Sequence, residues 1–299
     1  MRGLAQFHKR LQVWYAAHGR HDLPWRTTHD PYAIYISEIM LQQTQVKTVL
    51  DRFYFPFLQR FPTLQALADA PRDEVMKQWE GLGYYSRAAN MHRAAQMAAP
   101  QLPDTVEGLL ALPGIGQNTA HAVAAFAFHH PVAVLEANVK RVVARVFALE
   151  TPSPTELWEK AAQLLNKENP FDYNQAMMDV GSQICLPKSP LCSQCPASDI
   201  CKGKDAPECY PTKKAKKETP VRRKVIVALQ DEAGRYFLQP RETRFLGGLY
   251  GFLELDENIN QFYHENMAYT LKEARRLGAI TQTYSHFRLE ADVYSLKVG

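Results

Sequence analysis

Residues 112–116 read LPGIG and place two glycines, Gly114 and Gly116, between two segments of helical periodicity. The first segment ends near Ala111 and the second starts near Gln117, so the pattern predicts two helices joined by a tight hairpin. Glycine permits a positive φ and a close backbone approach, and the free N–H groups that open the second helix suit a phosphate. The stretch favours either a phosphate-binding hairpin or a plain turn between helices.

Short helical segments continue on both sides of this hairpin to about residue 200, with apolar residues at spacings of three and four. After a basic stretch the period changes to two, which is typical of strands, and one helix is expected at 267–278. A chain of this length suits two domains. We predict an all-α domain at 1–210, a linker at 211–224 and a small α+β domain at 225–299.

The composition is that of a globular protein, because 46% of the residues are hydrophobic and 22% are charged. The first twenty residues carry charge throughout, so no signal peptide is expected. The longest apolar stretch, 120–135, is too short and too often interrupted to span a bilayer. We therefore expect a cytoplasmic protein without a membrane segment.

The net charge of +4 and the pI near 8.7 permit a nucleic-acid partner but do not require one. Basic residues concentrate between Lys213 and Lys224, where seven of them accompany one acidic residue. Such a run favours a solvated linker; the alternative is a linker that also contacts phosphate.

Four of the five cysteines follow a C-x6-C-x2-C-x5-C pattern at Cys185, Cys192, Cys195 and Cys201. In a reducing compartment, four thiols so close together indicate metal ligation and not disulfides. Zinc and a [4Fe-4S] cluster both accept four thiolates, and the spacing does not separate them. Cys209 lies outside the run and is expected to be unligated.

Glu136 interrupts the apolar run AVLEANVKRV, residues 133–142, twenty residues after the hairpin. That interval fits a helix of about twelve residues and a return loop, which would bring Glu136 back to the hairpin as a catalytic carboxylate. Alternatively, Glu136 forms an i,i+4 surface ion pair with Lys140. From the residues alone, the ion pair is the favoured interpretation.

Together these motifs resemble the endonuclease III superfamily of helix-hairpin-helix DNA glycosylases. Further stretches narrow the resemblance to MutY-type adenine DNA glycosylases: SEIMLQQTQV (37–46), GLGYYSRA (81–88), YNQAMMDVGSQIC (173–185) and TYSHFRLE (283–290). The resemblance implies a monomeric enzyme that excises adenine mispaired with 8-oxoguanine from double-stranded DNA, associated with the nucleoid of a bacterial-type cytoplasm. It also implies a [4Fe-4S] cluster on the four cysteines in preference to zinc.

The resemblance assigns two carboxylates to the reaction. Glu38 is implied to protonate adenine at N7, which needs a carboxyl that stays protonated near neutral pH, and burial raises a carboxyl pKa in that direction. Glu136 falls on the family's second carboxylate, usually Asp, which stabilises the oxocarbenium sugar while Asn138 orients it. The adenine pocket is implied at Trp25, Arg26, Leu41, Val46 and Gln175.

Three departures from the family pattern surround this site. Glu136 carries its carboxylate one methylene, about 1.5 Å, further than Asp, which is comparable to a misplacement that costs roughly 100-fold in rate. Ala137 replaces a glycine and loses easy access to positive φ, and His121 also stands where the family usually has glycine. Two alternatives follow: a glycosylase with altered mismatch or damage specificity, or a lesion-binding protein with weakened catalysis.

The implied DNA contacts lie on three segments. Gln43 and Thr44 match residues that wedge into the duplex at the lesion, and Tyr84 matches an intercalating ring. The hairpin contributes Gly114, Gly116 and Asn118. Since Asn118 occupies the position of the Schiff-base lysine of bifunctional relatives, a monofunctional enzyme is implied.

The C-terminal domain resembles a MutT-like lesion-recognition domain, shorter than the family norm. Ser285 and His286 match its recognition loop, where a hydroxyl and an imidazole can meet the edge that distinguishes 8-oxoguanine from guanine. The resemblance as a whole thus implies an all-α helix-hairpin-helix glycosylase domain with an iron-sulfur loop at 185–201, followed by a small α+β MutT-like domain.

Overall fold

The chain divides into two compact units, Met1–Lys213 and Lys214–Gly299. The computed structural model describes residues 2–212, 218–241, 249–256, 261–264, 267–284 and 286–298. In that part of the chain, the first unit is helical and the second is built from strands. The first strand of the second unit starts at Val221, so the last four residues of the predicted linker, 221–224, belong to a strand.

Thirteen α-helices follow one another in the described part of the first unit. They are α1 Arg2–His18, α2 Pro24–Thr27, α3 Pro31–Leu41, α4 Val46–Arg52, α5 Tyr54–Arg60, α6 Leu64–Asp69, α7 Arg72–Gln78, α8 Ser86–Ala98, α9 Val106–Leu110, α10 Gln117–Ala127, α11 Ala137–Phe147, α12 Pro154–Leu164 and α13 Pro170–Asp179. A π-helical turn, Val180–Ile184, continues α13. Among the described residues, no helix combines the length and the apolar character needed to cross a membrane.

Side-chain caps and prolines set several of these helix starts. The hydroxyl of Thr63 accepts a hydrogen bond from the Ala66 N–H, and that of Ser153 accepts one from the Glu156 N–H. Helices α2, α3, α12 and α13 begin with proline, whose fixed φ suits the first helical turn and whose missing N–H would be unpaired there. The prolines that separate the helical segments in the sequence are therefore helix starts in several places.

The hairpin has the predicted bounds, with α9 and α10 on either side of LPGIG. Only Gly114 adopts a positive φ, 77°, and a Cβ there would lie 2.6 Å from the Cβ of Asn90 on α8. Gly116 has φ −89° and caps α10 without a side-chain hydrogen bond. Gly114 thus serves the turn and a close approach, whereas Gly116 leaves the N–H groups of α10 without a side-chain cap.

Helix α3 packs against α10 in a small apolar cluster that includes Ile34, Ala122, Phe126 and Val134. A larger cluster joins α1, α11, α12 and α13; its fully buried members include Phe7 and Val143. Because α3 carries Glu38 and α11 starts directly after Glu136, these two clusters fix the helices that bear both predicted carboxylates.

The second unit contains β1 Val221–Gln230, β2 Gln239–Pro240, β3 Tyr250–Gly251, β4 Leu253–Asp256, β5 Gln261–His264, β6 Met267–Thr270, β7 Arg275–Thr283 and β8 Arg288–Lys297. The main sheet has the order β4-β1-β8-β7, with β1 and β8 parallel and the two outer pairs antiparallel. Its apolar core is formed by Val225, Val227, Leu229 and Leu296.

The predicted helix at 267–278 is wrong. Residues 267–270 form β6, a three-residue 3-10 helix follows at Leu271–Glu273, and β7 starts at Arg275. Thr270 and Glu273 cap this short turn reciprocally, and pairing of β7 with β8 outweighs the helix propensity of the following residues. The α+β prediction is corrected accordingly, because the described part of this unit holds strands and one 3-10 helix but no α-helix.

Candidate active site

A narrow pocket in the helical unit brings Glu38 together with all five residues predicted to contact adenine. Its lining residues are Arg20, Leu23, Trp25, Arg26, Ile34, Ser37, Glu38, Leu41, Val46, Phe126, Gln175 and Met178. Gln175 is almost fully buried and lines the pocket, where its side-chain amide can both donate and accept hydrogen bonds. The sequence did not indicate Arg20, Leu23, Ile34, Ser37, Phe126 or Met178, most of which follow an ordinary core pattern.

Glu38 lies on α3, half-buried in this pocket. Burial raises the pKa of its carboxyl to about 7, the negative charge of Glu136 acts in the same direction, and the positive charge of Arg26 opposes both. The direction expected from the sequence is therefore confirmed. A carboxyl with this pKa is available as a proton donor near neutral pH.

Glu136 is the N-cap of α11 and not part of a surface ion pair. Its carboxylate accepts hydrogen bonds from the Asn138 N–H at 3.0 Å, the Val139 N–H at 3.2 Å and the Asn138 side-chain amide at 3.4 Å. No ion pair joins Glu136 to Lys140 in the part of the chain that the structure describes, so that interpretation is wrong. The helix N-terminus stabilises the negative charge instead.

Ala137 is the first residue of α11, and no residue from Glu136 to Asn138 has a positive φ. The exchange of glycine for alanine therefore introduces no backbone strain here. Asn138 packs against Gly181 of the π-helical turn, where an added Cβ would lie 2.7 Å from the Cβ of Asn138. The position of Asn138 thus depends on the small size of Gly181.

Arg141 connects Asn138 to the turn that leads into the cysteine run. Its guanidinium donates to the Asn138 side-chain oxygen at 2.9 Å, to the Gly181 carbonyl at 2.6 Å and to the Cys185 carbonyl at 2.7 Å. These bonds orient the Asn138 amide, whose nitrogen faces Glu136. The sequence marked the basic residues after Glu136 but gave no sign of these partners.

The hairpin lies near Glu136, as the twenty-residue interval predicted. The backbone N–H of Leu135 donates to the Asn118 side-chain oxygen at 2.8 Å, which ties the residue before Glu136 to the first turn of α10. The Gln42 amide donates to the Thr119 hydroxyl at 3.2 Å, so the end of α3 is attached to the same helix. Asn118 therefore has a structural partner inside the domain, and its contact with DNA stays a prediction.

Asp179 is fully buried and holds two arginines beside the pocket. Arg26 donates to both of its carboxylate oxygens, at 2.6 and 3.0 Å, and the Arg20 side chain donates at 2.7 Å. Burial acts to raise the pKa of Asp179, but the hydrogen bonds and charges of Arg26 and Arg20 outweigh it and hold the pKa below its usual value. Arg26 thus lines the pocket as predicted, with its charge paired by a residue that the sequence did not indicate.

Two surface loops carry the predicted wedge residues, and Arg87 fastens both. Gln43 and Tyr84 are exposed and have positive φ values of 57° and 50°. The Arg87 guanidinium donates to the carbonyls of Ile39 (2.9 Å), Met40 (2.9 Å), Gln42 (2.5 Å), Leu82 (3.3 Å) and Gly83 (3.2 Å). It also donates to the Thr44 hydroxyl at 3.3 Å and lies 5.3 Å from the centre of the Tyr84 ring. The half-buried Arg87 side chain therefore holds both loops.

All four cysteines of the run line one cavity, and Cys209 lies exposed outside it. Arg145 contacts the group through a donor at 3.3 Å from the Cys185 sulfur and through its carbonyl, which accepts from Cys201 at 3.4 Å. Burial raises the pKa of the Cys195 thiol to about 12, so the thiolate form there needs a nearby positive charge. Among the described residues, no three His, Cys, Asp or Glu side chains converge closely enough to ligate a single metal ion.

In the second unit, the predicted recognition loop is the connection between β7 and β8. The Tyr284 N–H donates to the Phe287 carbonyl at 2.8 Å, and the buried Phe287 ring packs beside His286 and under the Arg222 guanidinium. His286 is exposed at this loop. Ser285 lies outside the described residues.

Known proteins resemble this chain in sequence and in fold. Residues 36–167 match the family model of the HhH-GPD superfamily base excision DNA repair proteins, a range that includes Glu38, the hairpin and Glu136. The adenine DNA glycosylase of Buchnera aphidicola subsp. Schizaphis graminum is 31% identical over 297 residues, which cover 95% of this chain and 85% of the relative. This chain belongs to the adenine DNA glycosylase family. The resemblance noted in the sequence is thereby confirmed.

The chain covers a smaller share of other adenine DNA glycosylases. The human enzyme is 32% identical over 365 residues, covering 97% of this chain and 66% of its own length. The chain thus spans slightly less than two thirds of the human relative, and 41% of the rat relative. Among solved structures, a thermostable thymine-DNA glycosylase has a similar fold, with a TM-score of 0.63 and 29% sequence identity. The match covers 68% of this member of the adenine DNA glycosylase family and 97% of the thymine-DNA glycosylase chain.

Proposed function

We propose that this protein is a monofunctional DNA glycosylase that hydrolyses the N-glycosidic bond of adenine mispaired with 8-oxoguanine. The observation that carries the proposal is the pair of carboxyl groups: Glu38, with a pKa of about 7 in the pocket, and Glu136, whose charge acts on it. Two carboxyl groups in different electrostatic environments are the arrangement that glycoside hydrolysis uses. Family membership supports adenine as the base.

In the proposed reaction, adenine leaves the duplex and enters the pocket between Trp25 and Gln175. Neutral Glu38 donates its proton to adenine N7 while the bond between C1′ and N9 breaks, so the bonding electrons leave with a neutral base. The sugar becomes an oxocarbenium ion that the Glu136 carboxylate stabilises. A water molecule then adds to C1′ and gives its proton to Glu136. General-acid catalysis of this kind contributes about 10²–10⁴-fold.

The hydrogen bonds of Glu136 affect how far its carboxylate extends, since glutamate is one methylene longer than aspartate. Because the carboxylate turns back to cap α11 through Asn138 and Val139, part of the extra methylene is taken up along its own helix and does not extend into the pocket. Arg141 and Asn138 hold that geometry. These contacts support Glu136 as a working substitute for aspartate.

The proposal of a monofunctional enzyme rests on Asn118. It stands where a Schiff-base lysine would be needed for strand cleavage, and its amide cannot form an imine with the sugar. The side-chain oxygen is, in addition, occupied by the Leu135 N–H. Release of adenine should therefore leave an abasic site in an intact strand.

Recognition of 8-oxoguanine is assigned to two groups of residues. Gln43, Thr44 and Tyr84 would enter the duplex where adenine has left it, which offsets the cost of unstacking. In the second unit, proposed to be MutT-like, Ser285 and His286 would meet the N7–H and O8 edge of the lesion. Phosphates would contact the uncapped N-terminus of α10 at Gly114 and Gly116.

We further propose a [4Fe-4S] cluster on Cys185, Cys192, Cys195 and Cys201. In such a cluster each thiolate binds a different iron atom, so the sulfurs lie farther apart than around one zinc ion. Four thiols around one cavity fit four-thiolate ligation, and family membership favours the cluster over zinc. When bound, the cluster supplies a covalent anchor for the loop at 185–201 and a one-electron redox centre.

The test is a single-turnover assay of adenine release from a duplex with one adenine opposite 8-oxoguanine. The wild-type protein should release adenine and leave an abasic site, and Glu38→Gln should lower the rate by at least about 100-fold. An unchanged rate in Glu38→Gln would refute the mechanism. The protein is expected to bind duplex DNA as a monomer. Because binding to DNA phosphates releases counterions, the affinity for DNA should fall steeply as the salt concentration rises.

The same duplex series separates the alternatives. Preferred cleavage of another mispair or damaged base would assign a shifted specificity. Tight binding to the adenine and 8-oxoguanine duplex without an abasic product would indicate a lesion-binding protein, and Glu136→Asp combined with Ala137→Gly should then restore turnover.

A further inference from the structure

Residues 132–135 belong to no helix and pair with no strand in the part of the chain that the structure describes. Ala133, Val134 and Leu135 are almost fully buried, with 6%, 2% and 1% of their surfaces exposed. A buried backbone must satisfy its N–H and carbonyl groups. The Val132 N–H donates to the His130 carbonyl at 2.8 Å, and side chains supply partners for further groups of the segment.

Asn174, on α13, satisfies two of the backbone groups. Its side-chain oxygen accepts from the Val134 N–H at 2.8 Å, and its amide nitrogen donates to the Val132 carbonyl at 2.9 Å. Asn174 thereby imitates one residue of a neighbouring strand. Its side chain is buried, so this attachment is rigid.

Two residues of α10 hold the other side of the segment. The Nδ1 atom of His121 lies 2.8 Å from the Ala133 carbonyl, and Asn118 accepts from the Leu135 N–H at 2.8 Å. A carbonyl only accepts, so Nδ1 of His121 carries the hydrogen. The His121 ring also packs against Trp158 of α12, with 4.8 Å between ring centroids, which limits its rotation.

The segment ends at Glu136. After this residue the chain enters α11, which the Glu136 carboxylate caps. Before it, the side chains of Asn118, His121 and Asn174 hold the backbone that leads into Glu136. Loss of the bond to His121 would therefore free the Ala133 carbonyl, three residues before Glu136, while Asn118 and Asn174 keep their own bonds to the segment. Displacement of a reacting group by about 1 Å costs on the order of 100-fold in rate.

We propose that His121 is a positioning residue for Glu136: through its hydrogen bond to the Ala133 carbonyl it sets where the sugar-side carboxylate stands. This inference rests on the proposed function of Glu136 and deepens it. His121 itself does not touch the substrate.

The test compares two substitutions of His121 with a matched control. His121→Phe keeps a ring beside Trp158 but has no donor, and His121→Asn keeps a donor at nearly the position of Nδ1. The control is His8→Phe, because the His8 ring makes the same kind of bond to the Leu164 carbonyl, also at 2.8 Å. We expect His121→Phe to lower the single-turnover rate about 10- to 100-fold, whereas His121→Asn and His8→Phe stay within about threefold of wild type.

A second readout measures the position of the carboxylate without turnover. A duplex with a cationic pyrrolidine nucleotide imitates the oxocarbenium sugar, and a tetrahydrofuran nucleotide is its neutral counterpart. Wild type should bind the cationic duplex more tightly, and His121→Phe should lose most of that preference while its affinity for the neutral duplex is retained. His121→Ala replaces the phenylalanine variant if the latter does not fold.

The outcomes separate this inference from the proposed function. Wild-type protein that releases no adenine refutes the proposed function, whereas the ratio of the two affinities still reports on Glu136. An unchanged ratio and rate in both the phenylalanine and the alanine variants would overturn the positioning role. So would a wild-type protein without preference for the cation, because no carboxylate would then stand at the sugar.

Discussion

The carboxylate of Glu136 lies close enough to Glu38 for its negative charge to raise the pKa of the Glu38 carboxyl. The two groups come from different helices, α3 and the start of α11, and differ in surroundings. Glu38 lies in a largely apolar pocket, whereas Glu136 accepts hydrogen bonds from the N-terminus of a helix. Glu38 is thus suited to give a proton, whereas Glu136 is held in place by the helix that it caps.

The rate of adenine release should depend on the protonation of Glu38. Because only the neutral carboxyl can donate, and its pKa is about 7, the single-turnover rate should be constant below that pH. Above it, the rate should fall about tenfold per pH unit. For Glu136→Gln, each rate is divided by the rate of that variant at low pH. The fall of this relative rate should then occur at lower pH than in wild type, since one cause of the raised pKa of Glu38 is removed. A fall at the same pH in both proteins would contradict the coupling.

Glu38→Gln should make the protein more stable relative to wild type as the pH rises. The folded-state pKa of Glu38 is raised from 4.5 to about 7, so its stabilising contribution is complete below pH 4.5 and is lost as the pH passes through 7. Glutamine does not titrate. The measurement is thermal unfolding of both proteins at pH 5 and at pH 8. The Tm of the variant minus that of wild type should be larger at pH 8 than at pH 5 by about 2 °C or more. A constant difference would show that burial does not penalise the charged form.

Arg87→Lys should weaken binding of the adenine and 8-oxoguanine duplex. Lysine offers a point charge with three donors and cannot reproduce the fork by which Arg87 bonds carbonyls on both wedge-bearing loops. We expect the Kd to rise about tenfold, equivalent to about 1.4 kcal/mol. Arg60→Lys is the control, because Arg60 is exposed and pairs with Glu74 only at the surface. Equal affinities of the two variants would argue against the clamp.

Asp179→Asn should destabilise the helical unit strongly. The substitution leaves the buried Arg26 guanidinium without its charged partner, and breaking a buried pair in this way costs about 3–5 kcal/mol. Thermal unfolding should show a Tm at least about 6 °C lower. Asp199→Asn removes the exposed partner of Arg10 and should leave the Tm unchanged. Similar losses in both variants would show that burial of the Asp179 pair is not the cause.

Iron analysis distinguishes the ligating cysteines from the fifth one. Cys192→Ser should reduce the iron content below the four atoms per chain of a [4Fe-4S] cluster and weaken its visible absorbance. Cys209→Ser should retain both, because Cys209 is exposed outside the cavity. If the wild-type protein contains one zinc ion per chain and no iron, the four cysteines form a zinc site and the proposed cluster is refuted.

Local punctuation made the hairpin predictable. Proline and glycine at 113–116 left little choice for where α9 ends and α10 begins, and the structure has those bounds. Other local patterns in the sequence led to wrong predictions in two places. Residues 272–277, KEARRL, have the composition of a helix, but 275–277 belong to β7. The i,i+4 spacing of Glu136 and Lys140 suggested a surface ion pair, whereas Glu136 caps α11.

The contacts that organise the site lie far apart in sequence, which is why no pattern announced them. Asp179 and Arg26 are separated by 153 residues, and Arg87 reaches carbonyls 45 to 48 residues away. Hydrogen bonds of side chains to distant carbonyls leave no periodicity behind. Resemblance to a family identified residues that line the pocket of Glu38, but the groups that hold them in place required coordinates.

The attachment of residues 132–135 by single side chains has a consequence for how this site can change. In a β-ladder, neighbouring pairs share one register, so a shift at one residue moves the whole strand. Here, three side chains on two helices each hold their own part of the backbone. A substitution at one of these side chains can therefore shift one part of the segment that leads into Glu136, while the other two bonds stay in place.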